Sequence, residues 1–515
     1  MKKYFSRLNK FVHKYRYPLF WSLVAIFFLV WLWLRLAHLS ESWLFFNDTG
    51  RDYWEVWKFW DQGKIPLLGP QNSATPLSQT PFYFYLLTPL LGLSGFSFWA
   101  TQVTLLIFTW IIIGLCLAII YRRPKEWPQF FILLSLFCFS PLVITQSRSV
   151  WNPSFVWPLL LLAFYLLTNH QLWSKKFPKR GERLVWISIG TLLALASAFS
   201  FSIAPAILVF GILGLIINRR KQLWYWLGVV GGSILFFLPT IAFELRYDFQ
   251  ITKRFLASLS DLFIQKGGRT PTALTWSNKW TDFYNGIFKN EFLAVLTLLF
   301  IAGWLIYSIY RFIKTQKPTK LSPAKILPHL RQPFALAVLG FLLVSLFTLA
   351  APFPLYSHYL FGFLFFIFLI LATLPHWSKY LLTIILIYFW LQLISLGNYF
   401  RPTQISFATL NQCVAQICSE LQDKTTFTSI TSTHHPWHAG PEFKFSLSFH
   451  GCQVKEIDSD PEAAGQMLIF GHDEKFVLGQ SSYHELTLFG PAQLIDQGKC
   501  NSSLSWYLIA KSDPN

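Results

Sequence analysis

Apolar runs long enough to cross a bilayer alternate with short polar loops over roughly the first 400 residues. About 20 apolar residues are needed to span some 30 Å of hydrocarbon. The first run, about Pro18 to Leu39, meets that length and lacks a small-residue cleavage site, so it is read as an uncleaved span. "PFYFYLLTPLLGLSG" is shorter and broken by Pro89, Gly92 and Gly95, which predicts an interfacial or re-entrant helix. "FSFWATQVTLLIFTWIIIGLCLAIIYRR" is the next crossing, followed by runs near 128–146, 154–170, 184–200, 203–217, 223–243, 291–313, 334–352, 356–374 and 378–397. The pattern predicts an α-helical polytopic membrane protein with about eleven transmembrane helices.

The pattern changes after residue 398. The last 115 or so residues are polar and hold no span. "TLNQCVAQICSELQ" has the spacing of an amphipathic helix. "TFTSITST", "CQVKEID", "GQMLIFG" and "SWYLIAK" read as short strands. The expected organisation is therefore a basic N-terminus (1–17), a transmembrane domain (18–398) with loops at 40–80 and 244–290, and a small α/β or α+β domain (399–515).

Composition agrees with this reading. Of 515 residues, 53% are hydrophobic and 19% aromatic, while 13% are charged. The runs are too long for barrel strands, and only helices or closed barrels satisfy the backbone in lipid. The formal net charge of +19 raises the question of nucleic acid, but the basic residues cluster in short loops and set topology instead. The N-terminus, "RRPK", "KKFPKRGER", "RRK" and "RFIKTQKPTKLSPAKILPHLR" all fall on the cytoplasmic side if the N-terminus is inside. The C-terminal domain is then extracytoplasmic, in the cell membrane's outer aqueous compartment.

Four of the six cysteines, Cys413, Cys418, Cys452 and Cys500, lie in that domain. An oxidising side predicts two disulfides, for which three connectivities exist; Cys413–Cys418 with Cys452–Cys500 is preferred. "HHPWH" supplies His434, His435 and His438, but no further metal ligands are placed by spacing, so it is read as a polar loop. The sequons at Asn47 and Asn501 are short enough to arise by chance.

The candidate chemistry lies at the outer ends of the spans. "NDTGRDYWEVWKFWDQGK" places Asp48 and Asp52 four apart with Arg51 beside them, among tryptophans that belong at headgroup level. Arg148 and Asn152, Glu244 and Arg246, and His358 and Tyr359 fall at the same level by this topology. Polar groups converging at one membrane depth mark a functional site. Arg35 and His38 also lie near the outer end of the first span, where they either line the site or, as preferred, snorkel to the headgroups. The chemistry that fits is group transfer from a lipid-anchored donor. A carboxylate would act as general base, cations would hold the departing phosphate, and a groove between spans would hold the tail. No glycine-rich phosphate loop is present.

"NDTGRDYWEVWKFWDQGKIPLLGP…TPFYFYLL" resembles the first outer loop of bacterial membrane glycosyltransferases of the GT-C type. The group is the one related to protein O-mannosyltransferases and aminoarabinose transferases, glycosyltransferase family 39. The matching positions are Asp48, Arg51, Gly63 with Pro66, and Pro81 with Tyr83 and Tyr85. "SRSVWNPSFVWP", "FELRYDFQITKRFL" and "HYLFGFLFF" resemble three later elements in the same order. The resemblance implies an inverting transfer from a polyprenyl-phosphate sugar to a lipid, glycan or protein acceptor at the outer face. It implies Asp48 as the acid-base residue, with Arg51 orienting it or meeting phosphate, and Asp52 as the second carboxylate. Arg148, Arg246, His358 and Tyr359 become candidates for the donor phosphate, and Asn152, Glu244 and Tyr83 for the lining. Membrane lipids are the expected partners, and nucleic acid is not. Relatives often carry Asp-Glu where this chain has Asp48-Thr49, Asp in place of Asn152, and Arg in place of His358. Those departures argue against aminoarabinose transfer to lipid A. They leave no complete metal-ligand set, so a divalent ion stays open as a cofactor. Two other readings stand beside this one: a transporter or flippase of lipid-linked sugars, and a non-enzymatic envelope-assembly protein. No half-to-half repeat of the transporter kind is visible.

Overall fold

The computed structural model describes residues 16–264 apart from 46, 72–76, 122, 125 and 172–179; single residues between 281 and 306; and residues 330–349, 361–373, 397–420, 428–432, 440–457, 465–471 and 484–512, apart from 404 and 503.

Helices α1 (Arg16–Leu36), α2 (Asp48–Gln62), α3 (Phe82–Leu93), α4 (Ala100–Ile120), α5 (Trp127–Phe139), α6 (Pro141–Arg148) and α7 (Val156–Thr168) form the first half. They are followed by α8 (Gly181–Phe199), α9 (Ala204–Asn218), α10 (Gln222–Arg246), α11 (Gln250–Ile264), α12 (Pro333–Leu349) and α13 (Phe361–Thr373). Four described segments are long and apolar enough to cross a membrane: Tyr17–Leu36, Ala100–Ile120, Gly181–Phe199 and Phe201–Arg246. The pair Trp127–Phe139 and Leu142–Arg148, bent by 59°, makes a fifth if counted as one span. The bend has a local cause. Pro141 cannot continue the ladder, and Ser140 before it is extended, at ψ 126°. The expected count of eleven is not reached among the described residues. Much of the expected crossings at 291–313, 356–374 and 378–397 lies outside them.

The segment Phe201–Arg246 is a hairpin rather than one rod, as the separate runs 203–217 and 223–243 predicted. The Tyr225 hydroxyl donates to the Ile207 oxygen at 2.5 Å. A Cβ on Gly214 would lie 2.7 Å from Gln222 Nε2. Contacts therefore run in opposite directions on α9 and α10. By contrast α8 and α10 run parallel: Gly228 faces Ile187, and Gly232 faces Thr191 and Ala194. A Cβ on Gly190 would meet the Tyr225 oxygen at 2.2 Å, and one on Gly228 the Ile187 oxygen at 2.1 Å. Small residues let these backbones touch, which is how helices associate when lipid removes the hydrophobic incentive.

Helix α3 is 12 residues long, too short to cross, as its broken apolar run predicted. The loop expected at 244–290 begins with helix α11, and most of its remainder lies outside the described residues.

The C-terminal domain contains α14 (Phe407–Glu420), β1 (Thr428–Ser432), α15 (Pro441–Phe449), β2 (Gln466–Gly471), α16 (His484–Phe489), β3 (Ala492–Lys499) and β4 (Ser505–Lys511). The sheet order is β1-β2-β4-β3, with β1 parallel to β2 and the other pairs antiparallel. The amphipathic helix and three of the four expected strands are present. The described residues of "CQVKEID" form no strand. The unpredicted β3 is a bulged edge strand whose side chains are largely exposed, so it leaves no apolar alternation to read. Helix α15 also went unpredicted.

The disulfides are Cys413–Cys500 and Cys418–Cys452, with Cα separations of 5.2 and 6.0 Å. This corrects the preferred pairing. Cys413 and Cys418 both sit on α14, where five residues rise about 7.5 Å and turn the side chains about 140° apart, beyond what a disulfide spans. A digest without reduction is expected to yield 413–500 and 418–452 cross-linked peptides. Replacing Cys418 and Cys452 with Ser should destabilise the domain by about 4 kcal/mol, from the closure entropy of the 34-residue loop; thermal unfolding measures it.

The C-terminal domain docks on the end of the first span. Phe45 N–H donates to the Ile405 oxygen at 3.1 Å, Thr403 N–H to the Glu41 oxygen at 2.9 Å, and Trp43 stacks on Phe407.

Candidate active site

Helix α2 builds the site from a local pattern. Its first turn carries Asp48, and Arg51 and Asp52 follow at three and four residues, so all three share one face. Arg51 Nη1 bonds Asp48 Oδ1 at 2.6 Å. Its Nη2 and Nε bond Asp52 Oδ1 at 2.8 and 3.1 Å. The helix ends at Gly63, whose φ of 64° suits glycine.

The two acids differ in exposure. The Asp48 side chain is 33% exposed and that of Asp52 is 2%, so Asp48 is open to solvent and Asp52 is not. Asp52 Oδ2 is buried with no hydrogen-bond partner among the described residues. Burial pushes the Asp52 carboxyl up to about 7; Arg51 pulls it down, and Asp48 pushes it further up. Burial works against the Arg51 charge, but the two carboxylates outweigh it and hold that pKa above its ordinary value.

The other expected residues take varied places. Tyr83, on α3, lies beside Asp52 and donates to the Val150 oxygen at 3.2 Å. This brings α3 and the "SRSVWNPS" segment to α2. Arg148 is buried and spends its donors on the end of the first span: Leu34 O at 2.9 Å, Ala37 O at 3.0 Å and Ser42 Oγ at 2.5 Å. Asn152 donates to the Phe199 oxygen, tying its turn to the end of α8. Glu244 accepts from Ile251 N, Thr252 N and Thr252 Oγ1 at 2.9, 3.0 and 2.5 Å, so it fixes the turn between α10 and α11. Arg246 is exposed at the end of α10, with its guanidinium over the Tyr247 ring. Helix α10 reaches the loop after α2, through Thr240 Oγ1 and the Leu67 oxygen at 3.5 Å. His358 and Tyr359, like "HHPWH", lie outside the described residues.

Arg35 does not snorkel. It is 2% exposed and bonds Ser147 Oγ at 2.9 Å and the Cys138 oxygen at 3.1 Å, with its guanidinium 3.9 Å over the Trp31 ring. The apolar contacts of α1 with α5 and α6 bury it before it can reach the headgroups.

Two residues of the site had no sequence signal. Glu442, on α15, is fully buried, and its Oε2 accepts the Asn47 N–H at 3.3 Å. Glu456 accepts from Trp54 Nε1 at 2.9 Å and pairs with Lys444 at 2.6 Å. Burial pushes the Glu456 carboxyl up, but Lys444 outweighs it and the net shift is downward. Burial pushes Glu442 up to about 7.

Asp52 and Glu442 therefore bind protons more tightly in the folded chain than when unfolded. Their contribution to stability is full below about pH 4 and is lost as the pH rises through about 7. The melting temperature of the solubilised protein is expected to fall between about pH 5 and 8. Combining Asp52→Asn with Glu442→Gln should flatten that slope.

An apolar groove of about 550 Å³ lies between the C-terminal half of α2 and α3, lined by Phe59, Trp60, Ile65, Tyr85, Pro89 and Leu93. Among the described residues no group of three or more His, Cys, Asp or Glu is gathered as metal ligands. Arg51 stands between Asp48 and Asp52, where a divalent ion bridging them would have to sit. The pair does not fit such an ion while that arginine is in place.

No protein-family model matches the chain, and no curated protein matches it. Among solved structures the chain is similar to the crystal structure of ArnT from Cupriavidus metallidurans bound to undecaprenyl phosphate. The identity is 11% and the TM-score 0.48, over 95% of this chain and 97% of that one. The apo form of the same ArnT aligns at 12% identity with a TM-score of 0.44, over 95% and 98% of the two chains.

Proposed function

We propose that the protein is a multi-pass membrane glycosyltransferase of the GT-C type. In this reading it moves a sugar from a polyprenyl-phosphate donor to an acceptor at the outer face of the cell membrane, with inversion. The observation that carries the reading is the reachable Asp48, held by Arg51 at the N-terminal end of α2, just past the first span. The ordered motifs from Asp48 through "HYLFGFLFF" support it.

Asp48 takes the proton of an acceptor hydroxyl as that oxygen attacks the anomeric carbon. The bond from the anomeric carbon to the phosphate oxygen breaks, and its electron pair leaves with the polyprenyl phosphate. Attack on the face opposite the leaving phosphate inverts the centre. Arg51 holds and aims Asp48 through the bond to its Oδ1. Asp52 backs Arg51 from the buried side, and its uptake of a proton near pH 7 leaves more of the arginine to Asp48. Arg246, His358 and Tyr359 are the proposed contacts of the departing phosphate. Arg148, with both terminal nitrogens bound to protein oxygens, shapes the site. Tyr83, Asn152 and Glu244 hold the surrounding turns. The groove between α2 and α3 suits an isoprenoid tail, because its lining is aromatic and aliphatic apart from Thr88. The N-terminus is cytoplasmic and the C-terminal domain extracytoplasmic in this arrangement.

The test is sugar transfer in membranes supplied with a panel of labelled polyprenyl-phosphate sugars, comparing cells with and without the protein at matched membrane loading. A labelled product dependent on the chain is the expected result. Movement of the labelled lipid across vesicles with no product formed would favour transport instead.

A further inference from the structure

The C-terminal domain reaches the catalytic helix at its most sensitive point. Helix α15 lies across the first turn of α2. A Cβ on Gly50 would fall 2.5 Å from Glu442 Cβ and 2.6 Å from its Cα and N. Glycine inside a helix costs roughly 1 kcal/mol relative to alanine. Here it allows the N-terminal end of α15 to sit flush against α2. The contact continues along both helices: Phe445 packs on Tyr53 and Trp57, Phe449 on Trp57, and Glu456 takes the Trp54 Nε1 hydrogen bond.

At the centre of this contact is a carboxyl group that packing alone does not require. Glu442 is 0% exposed, and its Oε1 has no hydrogen-bond partner among the described residues. Its Oε2 receives the N–H of Asn47, the residue before Asp48. Asn47 has φ 54° and ψ −106°, a conformation that needs support from its surroundings.

We infer that Glu442 is a positioning residue for the transfer reaction, through which the C-terminal domain holds Asn47 and so sets the direction of the Asp48 carboxylate. The inference rests on the reading of Asp48 as the general base. It gives the domain a task in catalysis distinct from binding the acceptor.

The experiment uses the full chain, with Glu442→Ala, Glu442→Gln and Phe443→Leu compared with wild type. Phe443 stacks on Phe470 within the C-terminal domain, so its variant loosens the domain without touching Asn47. Glu442→Ala is expected to lower kcat about tenfold or more with the KM for the donor little changed, because it misaims the base without altering the donor's binding surface. Glu442→Gln, which keeps an oxygen for the Asn47 N–H, should recover kcat to within about threefold. Phe443→Leu should lower the melting temperature and leave kcat near wild type. Amide exchange over residues 47–52 should quicken in Glu442→Ala and not in Phe443→Leu. Unchanged kcat in Glu442→Ala, or an equal loss in Phe443→Leu, would overturn the inference, as would unchanged exchange over 47–52. A wild-type chain without transfer activity on any donor would defeat the transferase reading itself, and the exchange measurement would still decide whether Glu442 holds Asn47.

Discussion

Asp48→Asn is expected to reduce sugar transfer by about 10²- to 10⁴-fold, the usual contribution of a general base. The substitution is close to isosteric and the position is 33% exposed, so the fold should tolerate it. Asn keeps an oxygen to accept the Arg51 bond now seen at 2.6 Å. What it lacks is the lone pair basic enough to take the acceptor's proton. The loss should therefore appear in kcat, with the KM for the donor nearly unchanged and the melting temperature within a few degrees of wild type. Initial rates across a range of donor concentrations, at equal protein, make the comparison. Full activity in Asp48→Asn would remove Asp48 as the base. Asp52 would be a poor replacement, since its side chain is 2% exposed.

Arg51→Leu is expected to damage both stability and activity, and the damage should depend on pH. Arg51 is the cation between the two carboxylates, and Asp52 is the one that cannot reach water. Removing one partner of a buried pair costs about 3–5 kcal/mol, because the other charge is left uncompensated. Asp52 has an escape that tempers this cost. It can hold a proton, and burial already pushes its carboxyl up to about 7. Below about pH 6 the variant should lose little stability, because a neutral Asp52 needs no cation. At pH 8 the loss should grow by about 1 kcal/mol, because Asp52 is ionised there in the wild type and must hold its proton in the variant. Thermal unfolding at the two pH values measures the difference, and equal losses at both would remove the account of Asp52 as a buried, proton-accepting partner. Activity should fall about 10²-fold even at the lower pH, since Asp48 loses the bond that aims it. Arg51→Lys should rescue little. One ammonium cannot reproduce three bonds made from separate nitrogens of a planar fork.

What the sequence determined by itself is what depends on near neighbours. Runs of apolar residues need no partner to demand a bilayer, so the crossings near 184–200, 203–217 and 223–243 were legible, and so was the shortness of α3. The spacing of Asp48, Arg51 and Asp52 places them on one helical face whatever surrounds the helix. What only the tertiary structure decided is what depends on distant packing. Asp52 is buried beside Tyr83 of α3 while Asp48 stays partly exposed, a difference that the spacing of the two acids does not encode. The helix read over Cys413 and Cys418 already excludes a bond between them, but which of the two meets Cys452 and which Cys500 was decided by the packed domain. Arg35 found oxygens on neighbouring helices instead of headgroups, and Arg148, expected at the donor phosphate, is bound to protein oxygens at the end of the first span. Glu442 meets the backbone before Asp48 from almost 400 residues away, through a helix with no apolar period strong enough to predict. Local periodicity fixes which residues share a face; only the packed fold fixes which of them meet water, and in a buried site that difference sets charge and chemical role.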